Sequence, residues 1–257
     1  MNEVSKKNFS IDIIMPSYNK ANYLDDSIKS IIYQSLKNWN LYIIDDNSTD
    51  DSWKIINKYS KLKNINIIKL KKNKGPSFCR NFGMRLSKSK YISFIDSDDT
   101  WDPKKLEKQI RFMEDNNFDF TYTDYTPFFE RDGIKKIKKS TSLVESFNFE
   151  TFIRNSSINT TTMIISRSIL KTHRFKKIKL LEDYVFKCGL LINNKAIKLN
   201  ENLATYRILN QSRSSQRIRN IYWLWKVNKK FNKLNFLENV LSIFSISLNS
   251  IKKYGIK

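Results

Sequence analysis

The fold is decided by residues 11–50, which read IDIIMPSYNKANYLDDSIKSIIYQSLKNWNLYIIDDNSTD. Two β-branched runs, 11–15 and 41–44, lie on either side of residues 22–36, in which apolar side chains recur at helical spacing. Short apolar runs predict buried strands, and a spacing of three and four residues predicts an amphipathic helix. The order strand, helix, strand predicts a βαβ unit with two parallel strands.

The same alternation continues to about residue 125. We predict further strands at 65–70, 91–95 and 118–122 and further helices at 52–62 and 103–114. Pro103 suits the first turn of a helix, and Asp50 and Asp102 are expected to cap the helices that follow them. This part of the chain is therefore expected to form an α/β fold with a mostly parallel sheet flanked by helices.

The second half of the chain has a mixed pattern. We predict a hairpin over 128–138 around Asp132-Gly133, strands at 161–165, 196–199 and 203–206, a helix from about Leu181, and helices at 216–232 and 236–251. No repeat or linker interrupts the chain, so a single domain is expected. It is divided into residues 1–125, residues 126–215 and basic amphipathic C-terminal helices at 216–257.

The chain of 257 residues has a formal net charge of +22, which requires an anionic partner. Nucleic acid, a phosphate-bearing substrate and an acidic membrane surface all satisfy that requirement. The charge is uneven, since residues 171–257 contain 19 Lys and Arg against 4 Asp and Glu. Apolar residues alternate with these cations in the last two predicted helices, a pattern that favours a surface lying on an anionic leaflet. The alternative is a solvated lysine-rich face.

Several protein classes are excluded by what the sequence lacks. Two distant cysteines and the single histidine His173 provide neither a zinc ribbon, a disulfide framework nor a histidine-rich metal site. Neither the glycine-rich dinucleotide fingerprint nor a P-loop is present. We find no signal peptide and no apolar stretch of the roughly 20 residues that span a bilayer, so a cytoplasmic location is expected.

Polar clusters follow the predicted strands at the edge where an open parallel sheet binds its ligand. They comprise residues 16–19, 45–50, 73–76 and 96–99, and Arg80 follows the third cluster in the next helix. So many carboxylates at one edge repel each other unless a cation lies among them. Asp96 and Asp98 are two residues apart and suit a hard ion such as Mg²⁺ or Mn²⁺, although such residues also occur simply as helix caps.

This arrangement favours a nucleotide diphosphate as the leaving group. A metal that bridges the phosphate oxygens neutralises the charge that develops as the bond breaks. A helix N-terminus and the side chain of Arg80 supply further positive charge for the same oxygens.

The four clusters, in this order and spacing, resemble the motifs of family 2 glycosyltransferases, which have the GT-A fold. The resemblance extends over about the first 110 residues, and among family members the chain resembles the bacterial transferases that build O-antigen and capsule. It implies that residues 1–125 form a nucleotide-sugar half and residues 126–215 an acceptor and catalytic half. It implies that two groups of residues bind ligands. The nucleotide-sugar group comprises Pro16, Ser17, Tyr18, Asn19, Asp45, Asp46, Arg80, Asp96, Ser97 and Arg207, and the metal group comprises Asp96 and Asp98.

The second half contains Glu182-Asp183, which resembles the acidic pair that supplies the catalytic base of inverting members. Asp183 is the preferred base and Glu182 its neighbour in the site. A carboxylate there takes the proton of the acceptor hydroxyl as it attacks the anomeric carbon opposite the departing diphosphate. An α-linked donor then gives a β-linked product. The alternative is an acidic pair that only complements the dipole of its own helix.

The sequence departs from the family at two points. Leu209 stands where many relatives have a histidine near the metal, and the Gln-x-x-Arg-Trp of processive synthases is absent near Gln216. We therefore predict transfer of one sugar from a UDP-sugar, with Mn²⁺ or Mg²⁺, to a lipid-diphosphate-linked or other glycan on the inner membrane face in lipopolysaccharide or other surface-polysaccharide synthesis. A nucleic-acid-binding protein and a metal-dependent nucleotidyltransferase are the alternatives, although no motif for specific nucleic-acid recognition is present.

Overall fold

The computed structural model describes residues 9–131, 134–137, 144–208 and 217–254. Its strands are β1 (Ile11–Ser17), β2 (Trp39–Asp45), β3 (Ile65–Lys69), β4 (Tyr91–Phe94), β5 (Thr100–Trp101), β6 (Phe120–Arg131), β7 (Ile134–Ile137), β8 (Ser146–Phe147), β9 (Ile164–Ser166) and β10 (Ala196–Arg207). Its helices are α1 (Ala21–Ile32), α2 (Ser52–Asn57), α3 (Pro76–Leu86), α4 (Lys105–Asn116), α5 (Phe149–Phe152), α6 (Glu182–Leu191), α7 (Arg217–Val227) and α8 (Phe236–Tyr254).

All ten strands belong to one sheet, in the order β3-β2-β1-β4-β9-β6-β10-β5, with β7 beside β6 and β8 beside β10. Strands β1 to β4 run parallel, β9 is antiparallel to both its neighbours, and β6 pairs with β10 in parallel. Strand β1 is buried on both faces, as its nearly continuous apolar sequence requires of a covered parallel strand. The predicted α/β fold with a mostly parallel first half is confirmed.

Strands β1 to β4 lie where the sequence predicts them, with ends that differ by at most two residues. The strand predicted at 118–122 is the start of β6, which continues to Arg131, and β5 was not predicted. The helices differ from the prediction at their ends. Helix α1 ends at Ile32 and α2 at Asn57, both short of the predicted ends. Asp102 does not cap α4, which begins at Lys105. Its Oδ1 accepts a hydrogen bond of 2.8 Å from the backbone N–H of Lys104, in the turn before the helix.

Asp50 serves the starts of two helices. Its Oδ1 accepts the backbone N–H of Ser52 in α2 at 2.9 Å, and its Oδ2 accepts that of Ala21 in α1 at 3.1 Å. The loops that follow β1 and β2 are thereby held together. Asp50 thus satisfies otherwise unpaired helix N–H groups, as expected of an aspartate at this point.

In the second half, two predictions are corrected. Residues 196–199 and 203–206 were predicted as two strands but belong to one strand, β10. The register of β10 against β6 shifts between Leu199 and Thr205. The predicted strand at 161–165 begins as a 3₁₀ turn, Thr160–Thr162, because the Asn159 side chain accepts the N–H of Thr161 at 2.9 Å. The hairpin of β6 and β7 is confirmed, and its turn at Asp132-Gly133 lies outside the described residues.

The predicted C-terminal helices are both present. Helix α7 continues as a π-helical turn, Asn228–Asn232, before α8 begins. Within the described parts of the chain, no helix is long and apolar enough to span a bilayer.

Helix α3 lies unusually close to the central strand β1. A Cβ on Gly83 would lie 2.6 Å from Ile14 Cγ2, so only glycine permits this approach. The contact fixes α3 against the sheet and sets Arg80, one turn earlier on the helix, beside the carboxyl ends of the strands.

Candidate active site

A cavity of about 1160 Å³ opens at the carboxyl ends of β1, β2 and β4. It brings together residues that the sequence predicts for nucleotide sugar, metal and catalysis, although they come from distant parts of the chain. These lining residues are Pro16, Tyr18, Asp46, Arg80, Asp96, Ser97, Asp98, Glu182, Asp183 and Arg207. The position matches the rule that open parallel sheets bind ligands beyond their carboxyl edge.

Three predicted residues do not line the cavity. Ser17 and Asp45 are buried, and Asp45 accepts the backbone N–H of Ser48 at 3.2 Å. Asn19 has a φ of 50° and joins two loops, because its Oδ1 accepts the backbone N–H of Thr49 at 2.8 Å. The Asn19 contact joins the loops that follow β1 and β2, and nucleotide binding by the three residues stays a prediction.

Asp46 anchors the loop that leads into α3. Its two carboxylate oxygens accept the backbone N–H groups of Lys74 and Gly75, each at 2.7 Å. Gly75 has a φ of 84°, a conformation in which a side chain is strained. The Asp46 carboxylate therefore fixes the N-terminus of α3 at the cavity wall. Asp46 also lines the cavity.

Arg80 lies at the centre of the acidic site. Its side chain is 7% exposed and donates to Asp96 Oδ1 at 2.7 Å, and its other terminal nitrogen is 4.0 Å from Glu182 Oε1. The guanidinium also lies over the Phe175 ring, 5.3 Å from the centroid. One cation thus joins the carboxylate after β4 to the acidic pair of α6, a link between the two halves of the chain.

Asp98 faces a different cation. Lys20 Nζ lies 2.5 Å from Asp98 Oδ2, and the Asp98 side chain is only 14% exposed. Burial raises the pKa of Asp98, which Lys20 partly offsets. Lys20 was missed by sequence reasoning, although it directly follows the 16–19 cluster and its position was the available signal.

The donor set at Asp96 and Asp98 suits a metal that arrives with its substrate. Among the described residues, no three His, Cys, Asp or Glu side chains form a group that could hold an ion. Mg²⁺ is usually held by one or two carboxylates together with substrate phosphates and water, and Asp96 and Asp98 both line this cavity. The residues present therefore fit a divalent ion that a diphosphate completes.

Asp99 is a second residue that sequence reasoning left out of the site. It is fully buried, and it accepts hydrogen bonds from Thr161 Oγ1 at 2.5 Å and from the backbone N–H of Arg207 at 3.0 Å. Burial, together with Asp96 and Asp98, raises its pKa well above the ordinary value. Asp99 thus connects the acidic turn to the 3₁₀ turn before β9 and to β10, which no local sequence pattern could have indicated.

Arg207 lies at the end of β10, above the same turn. Its guanidinium lies between the rings of Tyr23 and Phe128, at 4.3 and 4.5 Å, and its Nε donates to the carbonyl of Asp98 at 3.3 Å. Two aromatic faces and a carbonyl hold the positive charge at the cavity wall. Leu209, where many relatives have a histidine, lies outside the described residues.

Asp183 is held by a buried lysine one helical turn away. Lys187 Nζ lies 2.9 Å from Asp183 Oδ2, and Thr160 Oγ1 lies 3.4 Å from the same oxygen. Burial alone would raise the pKa of Asp183, but Lys187 and Arg80 outweigh it and lower that pKa to about 2. The carboxylate is therefore ionised at neutral pH, as a proton acceptor must be.

The backbone just before this pair has an uncommon conformation. Leu181 has a φ of 66°, in the left-handed region that branched and bulky residues rarely adopt. Such strain often accompanies functional sites, because the surrounding structure must hold it in place. Here the turn at Leu181 starts α6 so that Glu182 and Asp183 both face the cavity.

The sequence that builds this site matches a known protein family. Residues 12–185, from the first strand to the acidic pair, match the model of glycosyl transferase family 2. The chain belongs to glycosyl transferase family 2. This assignment makes the protein a glycosyltransferase and favours sugar transfer over the nucleic-acid and nucleotidyl-transfer alternatives.

Individual relatives agree with the family. The glycosyltransferase is 31% identical over 249 residues to WfaP of Escherichia coli, named UDP-Glc:alpha-D-GlcNAc-diphosphoundecaprenol beta-1,3-glucosyltransferase, with 95% of each chain covered. The fold of this chain resembles that of residues 1–349 of Staphylococcus aureus TarS in complex with UDP-GlcNAc, with a TM-score of 0.73 at 19% identity, covering 95% of this chain and 73% of that fragment.

A third similarity is to the mannosyltransferase PcManGT of Pyrobaculum calidifontis, solved in complex with GDP-Man and Mn²⁺. The TM-score is 0.68 at 13% identity, covering 96% of this chain and 76% of the other. At such identities, both structural similarities show the GT-A fold alone. They place the glycosyltransferase in the fold class predicted from its sequence.

Proposed function

We propose that this glycosyltransferase moves one sugar from a UDP-sugar to a hydroxyl of a lipid-diphosphate-linked glycan, with inversion at the anomeric carbon. The reaction would serve the synthesis of a bacterial surface polysaccharide such as a lipopolysaccharide O-antigen. The name of WfaP, which specifies a UDP-sugar, a diphosphate lipid and a β-linkage, supports this choice of substrates. The choice of UDP is also supported by the nucleotide sugar in the TarS complex.

One observation carries the proposal. The same cavity is lined by the Asp96 and Asp98 carboxylates with their cations and by the ionised Asp183. Charge for a leaving diphosphate and a base for an attacking hydroxyl are therefore available to one bound donor and acceptor.

In the proposed reaction, the acceptor oxygen forms a bond to the anomeric carbon on the face opposite the diphosphate. The bond from that carbon to the phosphate oxygen breaks, and UDP leaves with the electron pair. Asp183 takes the hydroxyl proton, while Lys187 keeps the carboxylate ionised and oriented. Lys20, Arg80 and Arg207 surround the acidic turn and offset the charge of the departing UDP.

We propose Asp96 and Asp98 as the protein ligands of Mn²⁺ or Mg²⁺. Bound there, the ion supplies Lewis-acid stabilisation of the diphosphate leaving group. The oxygen-only donor set suits both ions, and the Mn²⁺ in the PcManGT complex supports a divalent cofactor in this fold.

The proposed acceptor places the enzyme at a membrane. A lipid carrier keeps its glycan at the bilayer surface, so the protein is proposed to act on the cytoplasmic side as a peripheral protein. The positive excess of residues 171–257 supports an anionic membrane surface as a partner.

The test is a transfer assay with Mn²⁺ or Mg²⁺, UDP-glucose, UDP-galactose and their N-acetyl forms, and a synthetic GlcNAc-diphospho-lipid acceptor. One donor should yield a glycosylated lipid and UDP. Asp183→Asn and Asp98→Asn should each lower kcat by about a hundredfold or more, since each removes a group that acts on the reacting bonds.

Asp51→Asn is the matched control, because Asp51 is exposed at the start of α2 and makes no side-chain cap bond. It should leave kcat unchanged. Full activity in Asp183→Asn, or a product that carries a nucleoside monophosphate, would contradict the proposal.

A further inference from the structure

Helix α8 exposes several large apolar side chains to solvent, and polar side chains share its inward face with Ile243 and Ile246, which pack against the core. Its inward face carries Asn239 and Ser242, which are 1% and 0% exposed. Its outward face carries Phe236, Leu237 and Phe244, which are 69%, 70% and 61% exposed. A surface helix normally buries its apolar stripe and exposes its polar one. Both the buried polar residues and the exposed apolar residues of α8 therefore need an explanation.

The inward polar residues are held by specific hydrogen bonds. Asn228 Nδ2, in the π-helical turn, donates to Asn239 Oδ1 at 3.1 Å and to Ser242 Oγ at 3.0 Å. Asn239 Nδ2 donates to the carbonyl of Trp225 at 3.1 Å, and Ser242 Oγ donates to the carbonyl of Ile153 at 2.5 Å. These buried polar bonds fix the rotation of α8 about its axis. The outward direction of its apolar face is therefore built into the fold.

The outward residues form one continuous stripe. At about 100° per residue they lie within roughly 140° of arc, and at about 1.5 Å per residue they extend over about 22 Å. The stripe, each member of which is more than a third exposed, consists of Phe236, Leu237, Val240, Leu241, Phe244, Leu248 and Ile251. An exposed apolar patch of this extent marks an interaction surface.

The charge beside the stripe identifies the kind of partner. Residues 217–237, which lead into α8, contain six Lys and Arg and no Asp or Glu. Lys226, Lys229, Lys230 and Lys233 are all exposed. A bare apolar interface would suit another protein, but an apolar stripe next to a purely cationic segment suits an anionic lipid surface.

The stripe also meets the active-site cavity. Ile251 is 39% exposed at the end of the stripe, and it lines the cavity together with Ile246 and Ser250 of the same helix. A lipid lying against the stripe would therefore have its headgroup near the cavity mouth. No described helix can cross the bilayer, so this contact would lie in the interface.

We infer that the outward face of α8 inserts into the headgroup region of an anionic bilayer and presents the cavity to a lipid-linked acceptor. The inference deepens the proposed function and rests on it for the acceptor alone. The surface itself is argued from the orientation of α8 and the neighbouring charge.

The test is sedimentation of the purified full chain with vesicles, in the absence of donor and acceptor. The chain should bind vesicles of phosphatidylcholine with phosphatidylglycerol and bind pure phosphatidylcholine much less. Leu237→Ser with Phe244→Ser should weaken binding by roughly tenfold or more, because two large side chains no longer leave water. Lys229→Glu with Lys230→Glu should weaken binding to the anionic vesicles only.

Tyr33→Ser with Ile192→Ser is the matched control, since these side chains are 65% and 62% exposed on other parts of the surface. It should bind vesicles as the unaltered chain does. Thermal unfolding and the rise in Tm with UDP and Mn²⁺ should be unchanged in every variant, which separates lost docking from lost folding.

Equal vesicle binding by Leu237→Ser with Phe244→Ser and the unaltered chain would overturn the inference. So would a solution dimer that this variant converts to monomer while its vesicle binding is kept, because a second copy would then cover the stripe. Vesicle binding without any sugar transfer would instead contradict only the proposed function. Transfer to a soluble acceptor without vesicle binding would contradict only the inference.

Discussion

Lys187 sets the charge of the proposed base. It is 3% exposed and bonds to the carbonyl of Ile158 at 2.7 Å as well as to Asp183. Because the lysine is fixed by the backbone, it fixes the Asp183 carboxylate in turn. The low pKa of Asp183, about 2, keeps the base ionised over the whole neutral range but makes it intrinsically weak.

Replacing this lysine should shift the pH dependence of catalysis. Lys187→Met removes the main cation that lowers the Asp183 pKa, so that pKa rises and protonation begins at higher pH. We expect the acid limb of the kcat/KM profile to move up by about one pH unit or more. Lys187→Arg should keep the profile near its original position, and so should the exposed control Lys195→Met. An unmoved acid limb in a folded Lys187→Met protein would argue against Asp183 as the base.

Some residues of the site could be predicted from the sequence, and others are identified only by the structure. Asp96, Asp98 and Asp183 could be proposed from the motifs, because the chemistry demands carboxylates at strand and helix ends. The partners of Lys20 and Asp99 could not be assigned, since they lie 78 and 62 residues away along the chain. Such pairings depend on the tertiary fold and leave no local pattern.

Helix α4 contains a buried lysine that opposes folding. Lys105 is fully buried, donates to Gln109 Oε1 at 2.9 Å and lies 4.3 Å from the centre of the Trp101 ring. Burial lowers its pKa from 10.5 to about 7. The folded protein therefore loses this proton at a lower pH than the unfolded chain does.

The free energy of unfolding should rise with pH above about 7. There the unfolded chain still binds the Lys105 proton that the folded chain has released, and stability increases wherever the unfolded state binds more protons. Below about 7 both states hold the proton and this contribution to the slope vanishes. Urea unfolding from about pH 7 to about pH 9 should show the rise in the unaltered chain and in Lys104→Met, but not in Lys105→Met. The same slope in Lys105→Met would contradict the assignment.

The approach of α3 to β1 gives a second test. In Gly83→Ala the new Cβ meets Ile14 Cγ2 and Cγ1, at 2.6 and 2.9 Å, so the helix must shift. Overpacking of this kind costs about 1–3 kcal/mol, more than the helix propensity gained. Denaturant unfolding should show the loss, and UDP affinity should fall because Arg80 moves with the helix.

Gly189→Ala in α6 is the control, since its Cβ would have His173 Cδ2 as its nearest neighbour, at 3.4 Å. We expect its free energy of unfolding to be unchanged or slightly higher. A Gly83→Ala protein as stable as Gly189→Ala would show that the contact is not tight.

The elements themselves were largely predictable, and their exceptions have physical causes. The buried runs of the parallel sheet are unambiguous because both faces are covered. The strand predicted at 161–165 was wrong in its first half, because the cap by Asn159 diverts the chain into a turn that delivers Thr161 to Asp99. Strand β10 was predicted as two strands because residues 200–202, in its middle, are polar. The register of β10 against β6 shifts at this point.

Across the whole molecule, the charge and the chemistry are separated. The carboxylates that define the cavity lie mostly in the first half, whereas the cationic excess lies after residue 171 and leads into the outward apolar face of α8. The total charge alone left three classes of anionic partner open. The orientation of α8, which only the structure supplies, favours the membrane surface among them.

The glycosyltransferase is proposed to transfer a sugar from a UDP-sugar, with inversion, within one cavity. The most direct measurement is the anomeric configuration of the product formed from an α-linked UDP-sugar and the lipid-diphosphate acceptor, read by proton NMR. We expect inverting transfer to give a β-linked glycoside and free UDP, both lost in Asp183→Asn and retained in Asp51→Asn. An α-linked product, or transfer that persists in Asp183→Asn, would contradict it.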